Sequence, residues 1–155
     1  MSKNRFGIVA TIWAISGAAL FSSAASAQAR KVFRSPGPNG TGSLVLGFTS
    51  GSVTLKSGGS SWELVNVAGG AWLIKDDSGR CLDESSPRDG AFVYTFPGHG
   101  RNNQRWKPYP ANSTSFQLIN QEDGRCLDVT ALQYYDGAPI EVWSCNGGWN
   151  QKWSF

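Results

Sequence analysis

Two sets of side chains in this sequence combine a carboxylate, side-chain amides and an aromatic ring. One is Asp128 with Glu141, Trp143, Asn150 and Gln151; the other is Asp83 with Tyr94, Phe96, Asn103 and Gln104. A carboxylate accepts hydrogen bonds on both oxygens and an amide both donates and accepts, so together they suit vicinal hydroxyls. An aromatic face suits the apolar C–H face of a pyranose ring. This is the chemistry of recognition rather than of bond breaking. Asp and Asn also persist in loops simply as caps, and both readings apply to these residues.

Groups that would break bonds are poorly supplied. Asp76-Asp77 and Glu122-Asp123 precede Gly-Arg-Cys in turns, where acidic residues serve turn formation. Glycoside hydrolysis needs two carboxyls facing each other across a cleft. The single histidine, His99, lies in a Gly-rich loop and forms no Cys-His pattern. No metal-ligand cluster, phosphate-binding loop or nucleophile elbow is present. The chain is read as a non-enzyme, with no catalytic residue, metal ligand or cofactor.

The elements that must position the two sets form a repeat. Gly79-Arg80-Cys81-Leu82-Asp83 and Asn103-Gln104-Arg105-Trp106 recur as Gly124-Arg125-Cys126-Leu127-Asp128 and Asn150-Gln151-Lys152-Trp153. Between them Asp89-Gly90-Ala91 matches Asp136-Gly137-Ala138, which sets Tyr94 against Glu141, Phe96 against Trp143 and Gly98 against Cys145. A weaker first copy ends at Trp62, because Trp62, Trp106 and Trp153 are separated by 44 and 47 residues. Its body, Val32 to Lys56, has lost the Cys, the Asp and the Asn-Gln pair. The three tryptophans are read as core, since large rings supply the buried area a small all-β domain lacks. Short β-rich runs such as Phe116-Ile119 and Pro139-Trp143 between turn residues, with no helical stripe, predict an all-β chain of three few-stranded repeats.

Lys3 and Arg5 precede an apolar run from Ile8 to Phe21 and then Ala25-Ser26-Ala27, the order of a secretory signal peptide. The run is shorter than the ~20 residues a bilayer span needs, so residues 1–27 are expected to be removed and the protein secreted or periplasmic. Their loss takes two of fourteen basic and none of eleven acidic residues, so the formal charge falls from +3 to +1. Without a basic run, a nucleic-acid partner is excluded. Residues 28–35 are read as an N-terminal arm and 36–155 as one domain, its repeats about 36–66, 67–110 and 111–155.

With Gln104-Arg105-Trp106, Gln151-Lys152-Trp153 and the degenerate Ser60-Ser61-Trp62 closing the repeats, the chain resembles the ricin-B family of β-trefoil lectins. The resemblance implies three lobes about a pseudo-threefold axis, with up to one shallow sugar site in each. It gives Asp128 the sugar hydroxyls, Trp143 the ring face and Asn150 the completion of the polar clamp, with Gln151 as a brace. Glu141 stands where many members have Gln, so it accepts hydrogen bonds but cannot donate them when ionised. The second lobe keeps Asp83, Phe96, Asn103 and Gln104, but has Tyr94 for the polar partner. The first lobe offers no carboxylate.

In an exporting compartment Cys126 and Cys145 are expected to pair. Cys81 is then left without a partner, because Gly98 occupies the matching position; it is read as a small buried hydrophobe in preference to one half of an intermolecular bridge. The resemblance is compatible with galactose-type glycans and with plant polysaccharides as partners. It is also compatible with a lectin-like subunit of a multicomponent, toxin-like assembly that binds a protein partner.

Overall fold

A computed structural model of the chain describes residues 29–155; the leader expected at 1–27 lies outside the described residues. Turn residues cut the chain into short strands, and these fall into three sets. The first is β1 (Arg30–Lys31), β2 (Val45–Thr49), β3 (Ser52–Lys56) and β4 (Trp62–Val67). The second is β5 (Ala71–Lys75), β6 (Cys81–Glu84), β7 (Ala91–Phe96) and β8 (Trp106–Pro110). The third is β9 (Phe116–Asn120), β10 (Cys126–Val129) and β11 (Ile140–Trp143), closed by bridges from Trp153 to Phe116 and from Ser154 to Arg34.

Each set folds its middle strands into an antiparallel hairpin, with Leu46 opposite Leu55, Leu82 opposite Thr95, and Leu127 opposite Val142. The sets are joined edge to edge. β4 pairs with β5, β8 pairs with β9, and the ring closes where Arg34 and Ser154 exchange backbone hydrogen bonds of 2.7 and 3.0 Å. Around the axis β7 meets β11 at Ala91–Val142 and β3 at Tyr94–Ser52, while Thr54 bridges Pro139. Closure of this kind leaves few free edges. The segment expected as an arm is part of this ring: Lys31 pairs with Trp62, and Phe33 is fully buried.

Trp62, Trp106 and Trp153 are fully buried among Leu46, Leu55, Ile74, Leu82, Leu118, Leu127, Ile140 and Val142. A buried indole N–H needs an acceptor, because leaving it unpaired costs about 1–3 kcal/mol. All three find an equivalent one, a leucine carbonyl of the same lobe. Trp62 Nε1 donates to the Leu46 carbonyl at 2.9 Å, Trp106 to Leu82 at 3.0 Å, and Trp153 to Leu127 at 3.1 Å.

This bond sets the first repeat in register with the others. It identifies Leu46 as the counterpart of Leu82 and Leu127, across a loop of 16 residues rather than 24 and 26.

Candidate functional site

In the third lobe Asp128 and Glu141 face each other across the β10–β11 ladder, and Cys126 faces Trp143. Side chains alternate along strands, so all four lie on one face. The short 3-10 turn Trp149–Gln151, placed by the buried Trp153 that follows it, brings the amides in from the side. Asn150 Nδ2 donates to Asp128 Oδ1 at 2.8 Å and Gln151 Nε2 to Asp128 Oδ2 at 2.7 Å. Gln151 is fully buried, donates also to the Ser144 carbonyl at 3.1 Å, and accepts from the Asn146 backbone N–H at 2.8 Å. It braces the carboxylate and the following loop.

Burial drives the Asp128 carboxyl up to about 6, against the two amide bonds that favour its charge; the negative Glu141 and Asp89 push it further up. Glu141 is likewise raised by burial, and the Thr130 hydroxyl and Ala131 N–H beside it partly offset the rise. Trp143 stays 42% exposed. Asp128, Glu141, Trp143 and Asn150 open together onto a cavity of about 370 Å³.

Further residues complete the cavity. Thr130, Ala131, Leu132 and Asn146 line it. Ala131 and Leu132 sit at φ 50° and 59°, left-handed conformations that cost a residue with a Cβ about 1–2 kcal/mol. Asp89, from the second lobe, accepts from the Ser144 N–H at 2.8 Å and from Arg125 Nε at 2.7 Å, fixing the residue just after Trp143. Those bonds, Arg125 first, hold Asp89 below the usual carboxylate range. Gly90 lies alongside, where a Cβ would stand 3.7 Å from Glu141 Oε2 and 3.8 Å from the Trp143 ring. The repeat alignment marks Asp89-Gly90 only as a turn, and the sequence carries no signal that it reaches into the next lobe.

The second lobe repeats the framework with a different filling. Asn103 Nδ2 donates to Asp83 Oδ1 at 2.9 Å and Gln104 Nε2 to Asp83 Oδ2 at 2.7 Å, while the His99 and Gly100 N–H groups bond Gln104 Oε1. Tyr94 lies opposite Asp83, its ring 5.9 Å from that of Phe96 and edge-on to it. His99 Nε2 comes within 3.5 Å of Asp83 Oδ2. Asp83 is raised by burial, an effect that Gln104, His99, Asn103 and Tyr94 oppose. A cavity of about 270 Å³ lies next to Asn103, but its other lining residues are Glu84, Ser85, Ser86, Pro87, Arg101 and Glu122.

In the first lobe the tryptophan register puts Gly47 at the carboxylate position and Gly59-Ser60 at the Asn-Gln position. Lys56, opposite Val45 as Trp143 is opposite Cys126, takes the place of the aromatic ring. A Cβ on Gly47 would stand 2.3 Å from Lys56 Cγ and 2.7 Å from Ser60 Oγ, so this socket is filled.

Cys126 and Cys145 are disulfide-bonded, and Cys81 is free and fully buried. Burial raises the Cys81 thiol. Its Sγ lies 3.1 Å from where a Gly98 Cβ would be. Among the described residues no group of three or more His, Cys, Asp or Glu is placed to hold a metal ion, and no helix is long and apolar enough to cross a membrane.

The profile of the ricin-type beta-trefoil lectin domain matches residues 69–155, the second and third lobes. An agglutinin of Ricinus communis is 47% identical over 34 residues, a stretch that is 21% of this chain and 6% of that protein. The designed three-fold symmetric protein ThreeFoil superimposes with a TM-score of 0.73 at 26% identity, over 81% of this chain and 96% of that one. An exo-beta-1,3-galactanase from Clostridium thermocellum superimposes with a TM-score of 0.72 at 27% identity, over 81% of this chain and 29% of the enzyme. The Macrolepiota procera ricin B-like lectin, solved with lactose, shares the fold with a TM-score of 0.65 at 21% identity, over 81% of this chain and 91% of that one.

Proposed function

Because the chain belongs to the ricin-type β-trefoil lectin family, we propose that it is a carbohydrate-binding protein that holds sugars without cleaving them, mainly through its third lobe. The observation that carries this reading is the open cavity at Asp128. A carboxylate oriented by two amides, beside a half-exposed Trp143, offers hydrogen bonds to hydroxyls and a flat face to the ring. The second lobe, where Tyr94 and His99 crowd Asp83, is the weaker site, and the filled first lobe binds no sugar. The lactose-bound relative and the galactanase support galactose-type glycans as ligands; plant polysaccharides fit the same chemistry. Residues 1–27 act as an export signal in this reading, and the disulfide suits an oxidising compartment.

A glycan-array screen of the chain, with Asp128→Ala beside it, tests the proposal. Binding that disappears in the variant supports a lectin with its main site in the third lobe. No binding by the folded protein overturns the proposal in favour of a subunit that docks a protein partner, as in toxin-like assemblies.

A further inference from the structure

The third-lobe cavity presents negative charge and hydrogen-bond acceptors to whatever enters it. Asp128 and Glu141 are direct partners across two strands, which sets their Cβ atoms about 4.5–5.5 Å apart. Both line the cavity, and no lysine, arginine or histidine does. Arg125, the cation that reaches this part of the lobe, is engaged by Asp89 and Asp123. The amide donor beside Asp128 is committed as well. Asn150 Nδ2 is taken by Asp128 and the Val129 carbonyl, while Asn150 Oδ1 has no partner.

The second lobe serves as an internal comparison. There Asp83 faces Tyr94 instead of a second carboxylate, and His99 Nε2 stands 3.5 Å away. Two carboxylates with no cation of their own, walled by an exposed indole, suit a ligand that brings a positive charge and several donors.

We infer that Glu141 makes the third-lobe site select a pyranose carrying a protonated amine, an unacetylated hexosamine unit, over the neutral hexose, and turn away sugars that carry a carboxylate. This rests on the sugar-binding reading above and adds the ligand class. The ammonium group sits between Glu141 and the face of Trp143, while Asp128 takes neighbouring hydroxyls.

Titration calorimetry of the full chain against glucose, glucosamine and glucuronate, and against galactose, galactosamine and galacturonate, tests it. In the series that binds, the amine form is bound at least about tenfold tighter than the neutral hexose, and the uronate at least about tenfold more weakly. In Glu141→Gln the amine-to-neutral ratio collapses to about one, whatever happens to the neutral affinity. Equal affinity for amine and neutral forms in the unmodified chain overturns the inference without any variant, as does a preference that survives Glu141→Gln. Binding without discrimination sinks this inference alone. Failure of all six sugars to bind overturns this inference, while the sugar-binding reading stands or falls on the glycan array.

Discussion

Glu84→Gln should convert a pH-dependent stability into a flatter one. Glu84 on β6 occupies the place that Val129 holds on β10 and Phe48 on β2, and it is 2% exposed. Both carboxyl oxygens are buried without a hydrogen-bond partner if the group is read as an anion. Asp123 lies beside it, and the two carboxyls can bond only when one of them keeps a proton. Burial first, then the charge of Asp123, pushes Glu84 from its ordinary 4.5 up to about 8, with Arg125 opposing. At neutral pH Glu84 is therefore mostly the protonated donor in a Glu84–Asp123 pair.

The unfolded chain releases this proton near 4.5 and the folded chain holds it to about 8. The folded state binds more protons in that window, so the stabilisation is complete below 4.5 and is lost as pH rises towards 8. At about 1.4 kcal/mol per pH unit the loss approaches roughly 5 kcal/mol, a large part of the 5–15 kcal/mol typical of a domain. Gln has the size of protonated Glu and nothing to titrate. Urea unfolding followed by tryptophan fluorescence, at pH 5, 6, 7, 8 and 9, should show the variant gaining on the unmodified protein at each step. Asp128, raised to about 6, imposes a slope of the same sign below that pH on both proteins, so it drops out of their difference. A difference constant to within about 1 kcal/mol across the series would refute the reasoning.

Gly98→Cys should form a disulfide with Cys81, because the new Cβ would sit 3.1 Å from Cys81 Sγ, close to the ~3 Å that an S–S bond of about 2.05 Å requires. Thiol titration of the denatured variant should find no free thiol, and closing this loop should add about 3 kcal/mol of stability under oxidising conditions; a persisting thiol contradicts the geometry. Trp153→Ala should cost about 3–5 kcal/mol in an unfolding titration. Trp143→Ala should leave stability within about 1 kcal/mol and remove most sugar binding. The opposite pattern would mean that core and platform have been exchanged.

Much of the framework is legible in the sequence because it rests on residue types that recur in order. The three tryptophans, the Cys126–Cys145 pair and the Asp–Asn–Gln sets are recognisable without coordinates, and the structure brings each set together. The register of the first lobe is not, since its marker is an indole hydrogen bond to a main-chain carbonyl, which any residue at position 46 would supply. Glu84 escapes for another reason. Strands β6 and β10 are buried at all four positions, so the alternation that separates inward from outward side chains fails there. His99 and Leu132 join their lobes through loop paths that no spacing rule encodes.

The indole-to-leucine bond has a consequence for valency. Each lobe is anchored by a tryptophan that touches no ligand group, so the anchoring is indifferent to what stands at the carboxylate, aromatic and amide positions. Lobe one shows the result: Gly47, Lys56 and Gly59-Ser60 replace the whole set while Trp62 keeps its bond. The number of sugars one chain can hold is thus a quantity that mutation can lower or raise lobe by lobe without reopening the question of folding. Since shallow sites gain most of their strength from simultaneous engagement, avidity becomes the property most easily altered in such a scaffold.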